Sequence, residues 1–116
     1  MKVTIDAAEA VVRFQEAFAA HDVDAVMAAM ATDCAFEDTA PPDGCRHIGQ
    51  TAVRAAWTAL FEASPEGAFE TEECFTAGNR VVVRWRYVFA GGHVRGVDLF
   101  TVRDGLVTEK LAYVKG

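Results

Sequence analysis

Asp98 is the residue whose surroundings in the sequence most suggest chemistry. It lies in the stretch RVVVRWRYVFAGGHVRGVDLFTVR, residues 80–103, where Val81, Val83, Trp85, Tyr87 and Phe89 recur at every second position. That is the period of a strand with one buried face. Gly91-Gly92 can take the positive φ angles of a two-residue hairpin turn, which pairs position 90 with 93 and sets Trp85 directly opposite Asp98 on the same face. A carboxylate is therefore expected among large aromatic rings. Burying it ionised and unpartnered costs roughly several kcal/mol or more, so the site must supply hydrogen bonds, a cation or a proton.

Three further residues could take part. Two turns are open at Asp104-Gly105: a tight one sends Leu111 and Tyr113 inward, and a three-residue Arg103-Asp104-Gly105 turn puts Lys110 across from Asp98. The pattern of the last strand does not choose between them, although a lysine would supply the cation Asp98 needs. Asp38 ends a short strand beside a loop, where by position alone it reads as a turn cap. His47 follows in the same loop region and either anchors it or reaches a site mouth as an acid or base. Cys34, Cys45 and Cys74 are an odd set, which fits reduced thiols. With His47 the first two lack the close spacing of a zinc site, so no metal is expected.

These residues need elements to place them. Asp6 followed by Glu9 marks a helix start, and Val11, Phe14 and Phe18 form the stripe of a helix over about residues 6–20. Val23, Val26, Met27 and Met30 predict a short second helix. Cys34 to Thr39 reads as a strand with Phe36 and Asp38 on one side and Glu37 on the other, stopped by Pro41-Pro42. Val53, Ala56, Trp57, Leu60 and Phe61 predict a third helix from Gly49 to Ser64. Strands follow over about residues 68–76, 80–90, 93–103 and 106–114. Three helices and then a run of antiparallel strands predict an α+β fold with the helices on one face.

A three-residue turn at Ala77-Gly78-Asn79 opposes Glu72 to Arg84 and Glu70 to Arg86, so the arginines read as a charge ladder on the outer face, solvated or facing a dimer partner. The same register puts Glu73 inward beside Val83 without a partner, which a bulge or a rim position would relieve. Phe14, Trp57, Trp85, Tyr87 and Phe100 are core aromatics on these patterns.

With 116 residues the chain is read as one domain, residues 1–116. A hydrophobic fraction of 52% with 24% charged residues is that of an ordinary soluble globular protein. The net charge of −6 argues against nucleic acid and against an acidic membrane surface as partners. The stretch MKVTIDAAEAVV lacks the apolar core of a secretion signal, so a cytoplasmic protein is expected.

The segments HDVDAVMAAMATDCAFED, HIGQTAVRAAW and VRGVDLFTVRDGLVTEKLAYV resemble the SnoaL-like group of the nuclear transport factor 2-like superfamily, over nearly the whole chain. The resemblance implies a cone-shaped α+β barrel, three N-terminal helices packed in a curved, mainly antiparallel sheet around a ligand cavity. Isomerases, cyclases, epoxide hydrolases, dehydratases and non-enzymatic binding domains share this scaffold. Set against ketosteroid isomerases, Asp38 matches the general base and Asp98 the neutral, proton-donating acid. Phe14 stands where that family has its oxyanion-binding tyrosine, so the hydroxyl is absent. Limonene epoxide hydrolases have an Arg-x-Asp pair where this chain has Arg84-Trp85-Arg86, and an aspartate where it has Ala112.

The alignment favours Lys110 inward, opposite Asp98, in a pair that keeps Asp98 ionised. The implied function is a small-molecule-binding domain, a homodimer through the outer sheet face, with an apolar cavity walled by Phe14, Trp57, Trp85, Tyr87 and Phe100, holding a small apolar or carbonyl-bearing ligand. If it is an enzyme, it is a cofactor-free isomerase or cyclase in which Asp38 is the base, Lys110 or His47 stabilises the enolate and Asp98 orients Lys110. The alternative is a non-catalytic ligand-binding module, or an interaction module that works through a homodimer formed by the outer sheet face with Val97, Leu99, Leu111 and Tyr113.

Overall fold

The computed structural model describes residues 6–116. Helix α1 (Ala7–Ala19) begins where the Asp6 carboxylate accepts the Glu9 N–H at 2.8 Å, satisfying a donor that the first helical turn leaves without an internal partner. Ala10, Val11, Phe14 and Phe18 are its buried stripe. His21, at φ 55°, ends this stretch and stacks on Phe61 with centroids 4.5 Å apart. Helix α2 (Val23–Ala28) is shorter than the Met30 spacing suggested, because Met30 opens strand β1 (Met30–Glu37) instead. A buried methionine satisfies either pattern, so spacing alone misplaced the boundary. Helix α3 (Gln50–Ala63) buries Val53, Trp57 and Phe61.

The remaining strands are β2 (Arg46–Ile48), β3 (Ala68–Ala77), β4 (Arg80–Phe89), β5 (Gly92–Arg103) and β6 (Leu106–Val114). They form one sheet in the order β2-β1-β6-β5-β4-β3. The expected α+β architecture is present, but the sheet does not close into a barrel: β2 and β3 remain its two edges. All pairings are antiparallel except β1 with β6, a parallel contact that a run of hairpins did not foretell. The buried residues of α1 and α3 and Val26 and Met27 of α2 join Phe36, Val81, Val83, Phe100, Val102 and Val107 in a continuous core.

Three registers differ from the sequence reading. Phe89 pairs with Gly92, so the first turn is Ala90-Gly91, and Trp85 faces Gly96 while Asp98 faces Val83. The displacement is two residues, which preserves the face of every side chain while changing its neighbour. Gly96 has a specific use there: a Cβ would collide with the Trp85 ring and with the Tyr113 carbonyl.

In the second case, β3 and β4 are joined through a two-residue Gly78-Asn79 turn, and a bulge between Thr71 and Glu73 restores Glu70 opposite Arg86. Glu73 thereby swings outward to Arg84 at 3.3 Å, and Glu72 meets Arg95 at 3.0 Å rather than Arg84. The bulge is the relief that Glu73 required.

In the third, Asp104 and Gly105 both adopt positive φ in a tight two-residue turn, and a bulge between Thr101 and Val102 shifts the rest of β6. Lys110 therefore faces inward as expected, but it lies across from Phe100 rather than Asp98. The tight turn and the inward lysine, posed as alternatives by the residues, coexist because one extra residue reverses the facing. Among the described residues, no helix is long and apolar enough to cross a membrane.

Candidate functional site

One cross-strand row organises the site: His47 on β2, Phe36 on β1, Lys110 on β6, Phe100 on β5 and Val81 on β4 pair successively across the sheet. The next inward row holds Ala112, Asp98 and Val83, and Asp38 lies two residues beyond Phe36, just past β1. The two acidic residues and Lys110 thus reach one concave face because inward positions recur with period two.

Beneath the helices this face bounds two cavities. The larger, about 580 Å³, is lined by Asp38, His47, Trp57, Trp85, Tyr87, Asp98 and Lys110 together with apolar groups such as Phe36, Leu60 and Ala112. The smaller, about 280 Å³, touches Phe14 and Phe100. Both share Phe18, Phe69, Trp85, Asp98 and Lys110, so the buried acid and amine stand where the two spaces meet. All the site residues expected from sequence line one cavity or the other. The reading missed Phe18 and Phe69, which line both; their apolar type gave no signal beyond core.

Lys110 Nζ lies 3.5 Å from Asp98 Oδ2, and the two side chains are 6% and 7% exposed. The amine is caged by aromatic faces: Phe18 at 4.6 Å, Trp57 at 4.8 Å, Phe14 and Phe36 at 5.4 Å and Phe100 at 5.9 Å. Such faces attract an ammonium. Burial nevertheless pushes Lys110 below the ordinary lysine value, against the opposing pull of Asp98. Burial likewise pushes Asp98 above the usual carboxylate value, with the Lys110 charge and the nearby Trp85 indole acting the other way. The expected pair is present, and desolvation, which favours the neutral form of each group, works against the salt bridge, which favours the charged forms.

The polar complement is incomplete. Asp98 Oδ1 and the indole nitrogens of Trp57 and Trp85 are buried without a hydrogen-bond partner among the described residues; the Trp85 N–H stands near Asp98 without reaching hydrogen-bond geometry. Unpaired buried donors and acceptors are expensive, and these three belong to residues that line the larger cavity.

At the other end of that cavity, Asp38 does both things its position suggested. Its Oδ1 accepts the N–H groups of Ala40 at 3.0 Å and Cys45 at 2.7 Å, and Oδ2 stands 3.2 Å from His47 Nε2. His47 is in turn stacked on Phe36 with centroids 5.7 Å apart. Burial pushes Asp38 up, but the Cys45 and Ala40 N–H groups and His47 outweigh it, leaving the carboxyl below its ordinary value. A neutral His47 that donates Nε2–H to Asp38 keeps Nδ1 as a basic nitrogen. No group of three His, Cys, Asp or Glu side chains placed to hold a metal occurs among the described residues.

With this geometry in place, the comparisons are consistent. An NTF2-like protein of unknown function from Mesorhizobium loti is 44% identical over 95% of this chain and 91% of its own, with a TM-score of 0.84. A candidate polyketide cyclase from Sinorhizobium meliloti is 27% identical over 90% of this chain and 93% of its own, with a TM-score of 0.80. A candidate ketosteroid isomerase from Kribbella flavida shares the fold alone, at 14% identity over 95% of this chain and 78% of its own, with a TM-score of 0.81. No functionally curated protein matches the chain. The profile of the SnoaL-like domain matches residues 11–110, and the chain belongs to that family, within the NTF2-like fold.

Proposed function

We propose that this protein binds a small, mainly apolar, carbonyl-bearing molecule in the larger cavity and moves protons on it without a cofactor, as an isomerase or cyclase would. The observation that carries this reading is that one apolar cavity of about 580 Å³ is lined at once by the Asp38–His47 pair and by the Asp98–Lys110 pair. A general base needs a carboxylate or imidazole at the substrate, and the enolate formed by proton abstraction needs a donor or positive charge in a dry environment. In this reading the Asp38–His47 pair takes the proton, Lys110 faces the carbonyl oxygen, and Asp98 holds Lys110. The hydrogen bonds that lower Asp38 make its carboxylate a poor proton acceptor, so its main work is to hold His47 in the tautomer that leaves Nδ1 free. The likeness to a candidate polyketide cyclase supports the reaction class. Incubating the protein with small aryl ketones and β-keto esters in D2O, and following deuterium at the carbon next to the carbonyl by NMR, tests it; exchange no faster than without protein refutes catalysis.

A second reading, a homodimer through the outer sheet face with binding but no turnover, is supported by one feature. Tyr113 is 53% exposed and stands opposite Val97, beside the Leu99–Leu111 pair on the same face. The exchange experiment separates enzyme from binder, and sedimentation velocity tests the dimer.

A further inference from the structure

We propose that Lys110 is a covalent site: its amine condenses with the carbonyl carbon of an aldehyde or ketone in the larger cavity to form an imine, with Asp98 as the proton relay. The inference rests on the reading of that cavity as a carbonyl-ligand site and goes beyond it, since there Lys110 only faces the carbonyl oxygen. Lys110 differs from a structural buried lysine in three respects. Asp98 Oδ2 is the one carboxylate paired with it among the described residues. The other ionisable groups on the two cavity walls are engaged or placed elsewhere: Asp38 and His47 with each other at 3.2 Å, Tyr87 with Ser64 at 2.6 Å, and Glu16 on the smaller space. And Lys110 borders both cavities, so a ligand in the larger one meets the amine directly.

The chemistry needs a neutral amine, which desolvation among the five rings around Lys110 favours and the Asp98 charge opposes; transfer of one proton to Asp98 removes that opposing charge. Lys110 passes one proton to the Asp98 carboxylate, giving amine and carboxylic acid. The nitrogen lone pair then forms the N–C bond as the carbonyl π bond breaks toward oxygen, and a proton moves from nitrogen to that oxygen to give the carbinolamine. Asp98 returns its proton to the hydroxyl, water leaves, and the nitrogen lone pair closes the C=N bond. One ammonium and one carbonyl become one iminium and one water, with the Asp98 carboxylate as counter-ion. The unpaired Asp98 Oδ1 can accept a hydrogen bond from the carbinolamine hydroxyl and so hold it in place for that proton transfer. The iminium withdraws electrons from the neighbouring carbon more strongly than a ketone does, which eases the proton removal assigned to the Asp38–His47 pair.

The chain's lysines are Lys2, Lys110 and Lys115, so attachment is simple to locate. Benzaldehyde with sodium cyanoborohydride, which reduces an imine to a stable secondary amine, should add one benzyl group per chain at neutral pH, mapped by peptide mass spectrometry to Lys110. It should do so at least tenfold faster than to Lys115. Quenching of tryptophan fluorescence by benzaldehyde without the reductant reports entry next to Trp57 and Trp85 independently. Quenching with labelling confined to Lys2, Lys115 or the terminal amine overturns the imine site and leaves the cavity reading standing. Neither quenching nor labelling removes the cavity as a ligand site and this inference with it. The double variant Asp98→Asn with Lys110→Met should keep the quenching and lose the adduct; an adduct that persists in it also overturns the proposal.

Discussion

Lys110 reaches Asp98 diagonally, from one cross-strand row to the next: it pairs with Phe100, Asp98 pairs with Ala112, and the Nζ to Oδ2 distance is 3.5 Å. Two charges that are each over nine-tenths buried depend on one another more than on water. Removing one of them should therefore cost more than removing both. Lys110→Met is expected to destabilise the fold by on the order of 3–5 kcal/mol at neutral pH, whereas Lys110→Met with Asp98→Leu should be near neutral. Urea denaturation of the three proteins checks this, and a single variant as stable as the wild type would remove the coupling.

That deficit should depend on pH in a definite direction. The folded-state value of Asp98 already stands above its unfolded one, and loss of the ammonium raises it further. A raised carboxyl binds its proton first in the folded state, so the penalty is full above the folded value and shrinks as pH falls toward about 4, the unfolded value. Stability curves of Lys110→Met and wild type from pH 8 to pH 4 should converge on acidification. Parallel curves would show that Asp98 does not carry the charge assumed here.

Asp38→Asn should leave folding intact, since an amide oxygen can still accept the N–H groups of Ala40 and Cys45. It should lower deuterium exchange into a bound ketone by roughly 10²-fold, because His47 loses the acceptor that fixes its tautomer and with it the weight of a general base. Because the Asp38 value is lowered in the folded protein, its stabilisation is present above about 4, the unfolded value, and is lost as pH falls through the folded one. In acid the wild type should therefore lose its stability advantage over Asp38→Asn.

Gly96→Ala places a methyl group into the Trp85 ring and the Tyr113 carbonyl. Overpacking of this kind costs about 1–3 kcal/mol, and the displaced indole should shift the tryptophan emission of the folded protein. An unchanged melting point and spectrum would mean that Trp85 does not lie over Gly96.

If the outer face makes a dimer, Tyr113→Glu should convert it to monomer in sedimentation velocity with the melting transition little changed, because the side chain is exposed in the single chain. A wild-type protein that sediments as monomer at the highest attainable concentration ends that proposal.

The alternation along β4 and β5 made the inward face of Asp98 legible, because facing depends only on parity, and the two-residue displacement of the hairpin left parity intact. The residue opposite Asp98 on β4 was not legible for the same reason, since Gly91-Gly92 and Ala90-Gly91 are both acceptable turns, whereas its ion-pair partner Lys110 was expected and is present. Bulges were the second obstacle. Nothing in the residue types at Glu72 or Thr108 announces an extra residue, yet one bulge turned Glu73 outward and the other reconciled a tight Asp104-Gly105 turn with an inward Lys110. The site residues were readable as aromatic or charged positions on the buried period. Their protonation was not, since it depends on how completely five rings enclose one amine. The short β2 escaped notice because three residues carry no periodicity, yet it delivers His47 to Asp38.

The side-by-side contact of β1 and β6 joins segments that lie far apart in the chain: one helix and four strands separate Phe36 from Lys110 along the sequence. Joining such distant segments is entropically costly, and the same pairing brings together Phe36, Asp38 and His47 on one side and Lys110 and Ala112 on the other as walls of the larger cavity. A molecule held between those walls would therefore stabilise the contact that the chain closes at the greatest entropic cost.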